Sequence, residues 1–443
     1  MNPNFKALPE GPCGFEPLPA ASLRLCRRLL TRRELLKAGC GAAVLATAAG
    51  LDRSGELFAR AVEEPARKAQ PVRSSLTRHR FGVHYAPPRN WFFLWNDFHA
   101  EVVARDLDAI ASLGADHIRM FLIWPYFQPN RKWISPAHLE RLATLMRMVG
   151  ERGMDIQLSL LNGWLSGYKF TTSFDNPSAP GDMYRSPRMF EAQELYFREV
   201  AKVAKEHANF LGFDVANEMA CCWSTGKDTA AGDAWCDKIL TLAESLFPDH
   251  LHVNGNWGQW FWPDTFSPGF MATRQECPVL HCYPAFCDAL KHGGFFDPPA
   301  IQLPAAQAAL VRAYAKNPTK PIWMQEYGMC KEWVDEARMP EFLEKTTLAA
   351  IQGGVSWLTW WASHDVDRKF EFTPLEYDFG LLTVDNKLKA HGRKFKELAE
   401  QYRGKPVALE ALKAKPLPPP PADAADTWKW LLNWMGYQPK KSG

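Results

Sequence analysis

From residue 80 to about residue 404, three segments recur in the same order: a short apolar run rich in β-branched or aromatic residues, a polar loop, and a stretch with helical periodicity. No other feature limits the fold so strongly. Candidate strands are Phe81–Tyr85, His117–Trp124, Asp155–Asn162, Gly212–Asn217, Leu251–Asn256, Val279–Tyr283, Ile322–Tyr327 and Val355–Trp361. Amphipathic stretches lie between them, clearest at Ser135–Gly153 and Pro187–Asn209 and weakest after Asn256, and a last helix runs from about Leu388 to Arg403. Eight such units fit an α/β fold of the (β/α)8 TIM barrel type better than an open doubly wound sheet. No G-x-G-x-x-G follows the first strand to mark a dinucleotide fold. With 47% hydrophobic and 23% charged residues, the composition excludes disorder, a collagen-like repeat and a small disulfide scaffold.

Two segments flank the repeat. Residues 38–51 form an apolar Ala/Gly-rich run of 14 residues, short of the roughly 18 to 20 needed to span a bilayer. Ahead of it stand Arg24, Arg27 and Arg28 and the pair Arg32-Arg33. Together they look like a twin-arginine export signal, with small-x-small sites at Ala46-Thr47-Ala48 and Ala59-Arg60-Ala61. The chain accordingly divides into a leader at 1–61, a barrel at 62–404, and a Pro-rich linker with a C-terminal arm at 405–443. The arm, with Pro416, Pro418 to Pro421 and the Trp-rich segment Thr427–Trp434, is too small for a domain and is expected to fold back on the barrel. This reading expects a periplasmic or secreted protein, the twin-arginine machinery as a partner, and no stable membrane insertion of the mature chain.

Removing the leader takes away nine of the 52 basic and five of the 49 acidic residues and turns the formal +3 into about −1. No basic field remains to recruit nucleic acid. Seven cysteines stay behind, an odd number, and the spacing of Cys277, Cys282 and Cys287 lacks the paired knuckles of structural zinc. Neither a metal nor another cofactor is expected.

Barrel chemistry gathers at the carboxyl ends of strands. Strand four ends in Phe213-Asp214-Val215-Ala216-Asn217-Glu218 and strand seven in Ile322-Trp323-Met324-Gln325-Glu326-Tyr327. Each puts a carboxylate at the end of an apolar run, where desolvation is costly without a use. Strands three apart in an eight-strand ring face each other across its mouth, and glycoside hydrolysis needs two opposed carboxyl groups, about 5 to 5.5 Å apart in retaining enzymes.

On Asn217-Glu218 and Glu326 the sequence resembles glycoside hydrolase family 5 over roughly residues 80–404. The resemblance implies that Glu218 is the acid/base and Glu326 the nucleophile. It also matches Arg119 after strand two, His281-Cys282-Tyr283 after strand six, and Trp361 of the Trp360-Trp361 pair after strand eight. Implied roles follow: Arg119 and Tyr283 donate to Glu326, Asn217 meets the sugar 2-hydroxyl, His281 serves the acid/base, and Trp361 offers a face to the cleaved sugar. The nearby charge of Glu326 is expected to raise the pKa of Glu218.

Two departures stand out. Met219 replaces the Pro usual after the acid, and Leu160-Leu161-Asn162-Gly163-Trp164 replaces a His after strand three. Asn162 and Trp164, with Cys221 just behind Glu218, look more like the β-mannanase branch than the cellulase branch, and both are candidate substrate contacts. The reading is an exported, retaining β-glycoside hydrolase that acts by double displacement on β-linked polysaccharides or oligosaccharides. It favours β-mannan, then β-1,4-glucan, in the manner of an endo-β-mannanase or endo-β-glucanase. An exo-acting β-glycosidase and a non-catalytic carbohydrate-binding barrel are the alternatives. Endo or exo action turns on whether insertions such as Phe170–Tyr184 or Phe261–Gln275 block one end of the cleft. His250-Leu251-His252 offers a metal-hydrolase His-x-His only at the start of strand five, on the wrong face, and no G-x-S-x-G marks a serine hydrolase. The 18 Trp, several at strand ends (Trp124, Trp164, Trp223, Trp257, Trp260, Trp323, Trp361), suggest a cleft with sugar-stacking faces, the other rings being core.

Overall fold

The computed structural model describes residues 72–438 apart from 177, 372 and 415, so the leader lies outside the described residues. Eight parallel strands form the inner wall: β1 (Arg80–His84), β2 (His117–Phe121), β3 (Asp155–Asn162), β4 (Phe210–Asn217), β5 (Val253–Gly255), β6 (Val279–Cys282), β7 (Trp323–Tyr327) and β8 (Trp357–Trp360). They pair in the order β5-β4-β3-β2-β1-β8-β7-β6, and β5 lies beside β6, so the sheet curls into a nearly closed barrel. One main helix follows each strand: α1 (Ala100–Ser112), α2 (Pro136–Gly150), α3 (Pro187–Ala204), α4 (Thr229–Leu246), α5 (Pro268–Arg274), α6 (Leu303–Ala315), α7 (Met339–Gln352) and α8 (Ala390–Tyr402). This is the (β/α)8 TIM barrel that the alternation requires.

Local sequence explains the boundaries. Ser-Pro pairs start α2, α3 and α5, where proline at the first helical position loses no hydrogen bond. The strand expected to reach Trp124 ends at Phe121, because Trp124–Phe127 coils into a short helix around Pro125. The helix expected to reach Asn209 stops at Ala204, and Asn209 instead donates to Met146 O (3.0 Å) and Met154 O (3.3 Å), tying the start of β4 to the end of α2. Gly212 adopts φ +145°, and a Cβ there would lie 1.8 Å from Leu251 O, so β4 and β5 approach only because the side chain is absent.

The barrel interior is apolar at its base and polar toward its mouth. Leu76, Leu211, Leu251, Val253, Cys277, Val279, Trp323 and Trp357 form the lower plug. Above them Thr359 Oγ1 meets His117 Nε2 (2.8 Å) and Trp323 Nε1 (2.8 Å), and Gln325 Nε2 donates to Gln157 Oε1 (3.0 Å). Strand β7 is irregular at this height: Met324 stands opposite Leu280 and Leu358, while the next matched residues are Glu326 with His281 and Tyr327 with Trp360. This bulge turns the adjacent Gln325 and Glu326 both inward.

The Pro-rich linker and helix α9 (Thr427–Met435) pack on the outside of the barrel, with Leu431 fully buried. Tyr314 OH of α6 donates to Pro421 O (3.3 Å), and Trp430 Nε1 donates to Pro419 O (2.8 Å). Trp428 stacks on Phe261 (ring centroids 6.0 Å apart) and donates to Cys287 O (2.9 Å), so the arm also supports the loops after β5 and β6. All seven described cysteines are free thiols. No helix among the described residues is long and apolar enough to cross a membrane.

Candidate active site

At the mouth, Arg119 at the heart of β2 organises the wall. Its guanidinium donates from Nη1 to Glu326 Oε1 (2.5 Å) and His84 Nε2 (2.5 Å), from Nη2 to Asn217 Oδ1 (2.7 Å) and Asp214 Oδ2, and from Nε to Asp214 Oδ2 (3.1 Å). Arg119 and Asp214 are fully buried, so each needs the other. Space for the pair comes from Gly255, where a Cβ would sit 2.8 Å from both Arg119 Nη2 and the Asp214 carboxylate. Burial and the Arg119 charge hold the pKa of His84 well below its ordinary value, so His84 is a neutral acceptor.

Glu326, only 5% exposed, receives Tyr283 OH on Oε2 (3.0 Å) in addition to Arg119. Opposite, Glu218 ends β4 in a left-handed conformation (φ +43°) and is held by its N–H on Gly255 O (2.9 Å). Between them stands His281, with Nδ1 2.6 Å from Glu218 Oε1 and 3.5 Å from Glu326 Oε2. Its Nε2 faces Gln325 Oε1 (3.2 Å). Burial raises the pKa of Glu218; the hydrogen bond and charge of His281 oppose this, and repulsion by Glu326 adds to it. Burial, rather than the charge of Glu326 on which the sequence expectation rested, is the main cause. Burial also disfavours the His281 cation, yet the charges of Glu326 and Glu218 outweigh it and raise its pKa.

One ligand atom each from Glu218, His281 and Glu326 lies within 4.8 Å of the others, a spacing that could also hold a cation. A histidine that tends toward imidazolium between two carboxylates already fills that electrostatic role.

The structure thus gathers Arg119, Asn217, Glu218, His281, Tyr283 and Glu326 into one hydrogen-bonded cluster. Asn217 accepts from Arg119 on Oδ1, which leaves its NH2 as a donor for a hydroxyl. Trp361, 7% exposed, packs edge-on to His84 (4.8 Å), while Trp360 points outward and donates to Phe379 O (2.9 Å). Asn162 needs correction as a substrate contact: it is fully buried, its NH2 donates to Leu122 O, Ser159 O and Leu160 O, and its Oδ1 accepts from Ser159 Oγ. It clamps the end of β3 and has nothing left for a sugar. Trp164 stands half-buried in a hairpin (Trp164–Leu165 paired with Tyr168–Lys169), outside the cluster. Trp124, Trp223, Trp260 and Trp323 are core rings. His252 spends both ring nitrogens on backbone, at Phe213 N (3.1 Å) and Phe247 O (2.9 Å), and is no metal ligand.

The sequence reading gave no role to Asp214, His84, Gln325 or Glu376. Asp214 was visible as a charge inside an apolar strand and His84 as a polar strand end. Glu376 carried no such signal: it sits on a short turn (Pro374–Tyr377) far along the loop after β8, where its Oε2 accepts from Trp361 Nε1 (3.2 Å). Burial raises its pKa to about 7; bonds from Ser166 and Trp361 oppose the shift, and the charges of Glu326 and Glu218 add to it.

No family model matches the chain. A GH5_18 enzyme from Streptomyces cattleya, solved as a variant in complex with Manb1-4GlcNAc, is 31% identical, with a TM-score of 0.71 over 81% of this chain and 89% of that one. A GH5_18 enzyme from Bifidobacterium longum subsp. infantis is 30% identical, with a TM-score of 0.71 over 75% of this chain and 81% of that one. The mannan endo-1,4-beta-mannosidase A of Podospora anserina is 26% identical over 260 residues, which are 50% of this chain and 63% of that relative's length. With a barrel carrying acids at the ends of β4 and β7 and this likeness along most of its length, the chain belongs to glycoside hydrolase family 5.

Proposed function

We propose that this glycoside hydrolase cleaves β-mannosidic bonds with retention of configuration and releases mannose from the non-reducing end of short chains such as Man-β-1,4-GlcNAc. The carrying observation is the closeness of the two acids: oxygens of Glu218 and Glu326 within 4.8 Å of each other, with His281 Nδ1 reaching both. Inverting enzymes need about 6.5 to 9.5 Å to seat a water between their carboxyl groups, whereas retaining ones need about 5 to 5.5 Å. In the first half-reaction Glu326 attacks the anomeric carbon while Glu218, its proton held by burial, protonates the departing oxygen. In the second, Glu218 takes a proton from water, which displaces the sugar from Glu326.

The bound Manb1-4GlcNAc of the Streptomyces cattleya relative supports a mannoside. Exo rather than endo action is supported by the loops. Tyr168 OH in the hairpin after β3 donates to Glu371 O in the loop after β8 (2.7 Å), Tyr168 lies 4.9 Å from Trp91 in the loop after β1, and Phe93 stacks on Phe370 (5.7 Å). Three loops therefore meet over one side of the mouth, which suits a pocket better than an open groove.

Time-resolved NMR of Man-β-1,4-GlcNAc hydrolysis tests this reading. The β-anomer of mannose should appear first; the α-anomer as first product rules out double displacement. Preference for mannan polymer over the disaccharide rules out the exo assignment.

A further inference from the structure

We propose that Glu376, on the turn Pro374–Tyr377 in the loop after β8, binds the 4-hydroxyl of the terminal non-reducing mannose and so sets where the sugar chain must end. This deepens the β-mannosidase reading above and rests on it.

Glu376 belongs to the same wall as the nucleophile. Its Oε2 accepts from Trp361 Nε1 (3.2 Å), Trp361 packs on His84 (4.8 Å), and His84 Nε2 lies 3.7 Å from Glu326 Oε1. The Ser166 hydroxyl lies close enough to Glu376 to lower its pKa. Ser166 and Gly167 turn the hairpin through left-handed backbone (φ +50° and +92°), and Tyr168 anchors it to Glu371 O. Glu376 thus stands where the loops after β3 and β8 close the mouth, beside the ring that would hold the cleaved sugar.

Holding Trp361 does not require a carboxyl group. A glutamine would accept the same indole N–H without placing a third acid near Glu218 and Glu326, whose charges both act on Glu376. An acid kept at that cost needs another use. Carboxyl groups accept strongly from sugar hydroxyls. In a 1,4-linked chain the 4-hydroxyl of the terminal sugar is the one an internal sugar lacks, so a group bound to it and walled by the hairpin admits only chain ends.

The test compares 4-nitrophenyl β-mannoside with its 3-deoxy and 4-deoxy analogues on the wild type, Glu376→Gln and Glu376→Ala. Wild type should lose about 100-fold in kcat/KM on the 4-deoxy substrate, as expected when one hydrogen bond to a charged group goes unmade. The variants should lose a similar factor on the parent substrate but discriminate against the 4-deoxy analogue less than about fivefold. Glu376→Gln keeps the acceptor for Trp361, so its melting temperature should match the wild type. Unchanged 4-deoxy discrimination in both variants overturns the role of Glu376 while leaving the β-mannosidase reading intact. A wild type that cleaves no β-mannoside overturns that reading instead.

Discussion

His281 and Glu218 are joined by a 2.6 Å contact between Nδ1 and Oε1, and a second carboxylate, Glu326, also reaches the same nitrogen (3.5 Å). The proton needed by the leaving group is therefore held between an acid whose pKa burial raises and an imidazole whose pKa the two carboxylates raise.

A pH profile follows with a definite sign. Glu218 must be protonated for the first half-reaction, so activity falls as pH rises through its raised pKa. His281 pulls that pKa down, while Glu326 pushes it up and Arg119 pulls it down. His281→Asn should accordingly move the basic limb of kcat/KM to higher pH, measured on an aryl mannoside. A limb that stays put or moves lower contradicts this account of the acid.

Asp214 should matter for stability as much as for activity. Asp214→Ala leaves the buried Arg119 guanidinium without its main carboxylate partner, and breaking such a pair costs about 3 to 5 kcal/mol. Urea unfolding of the variant checks this; a loss under about 1 kcal/mol would show that Glu326 and Asn217 suffice to hold Arg119.

The arm should stabilise the barrel. Leu431→Ala empties a fully buried site on α9 and should cost about 2 to 4 kcal/mol. Deleting 416–443 should cost at least as much by denaturant unfolding. If stability holds while binding to polymer falls, the arm is a substrate element.

Export is proposed on Arg32-Arg33. Changing Arg32→Lys together with Arg33→Lys should leave active enzyme in the cytoplasm on cell fractionation; unchanged release of folded enzyme sinks the twin-arginine route.

The legibility of the chain follows from how locally each feature is encoded. Strand β3 was readable residue for residue, Asp155–Asn162, because Ile156, Leu158 and Leu160 alternate with Gln157 and Ser159 in a largely apolar run of strand period. Glu218 and Glu326 stood out because charge at the end of such a run is rare. Asn162 was misassigned because a sequence shows which polar group stands at a strand end but not which way it turns, and here it turns back onto carbonyls. Glu376 was invisible because its place beside Trp361 depends on the path of a long loop, on which local periodicity says nothing.

The bulge in β7 gives that strand a different tolerance from its neighbours. Below Met324 the pleat alternates, and exchanging one apolar residue for another changes only packing. Above it, two consecutive side chains share the lumen, one bracing His281 and the other set for attack. Deleting Gln325 would restore regular pleating with Glu326 still facing the lumen opposite His281, but it would remove the amide that braces His281 Nε2, lowering turnover without touching an acid. The length of this strand, as well as its lettering, is part of the catalyst.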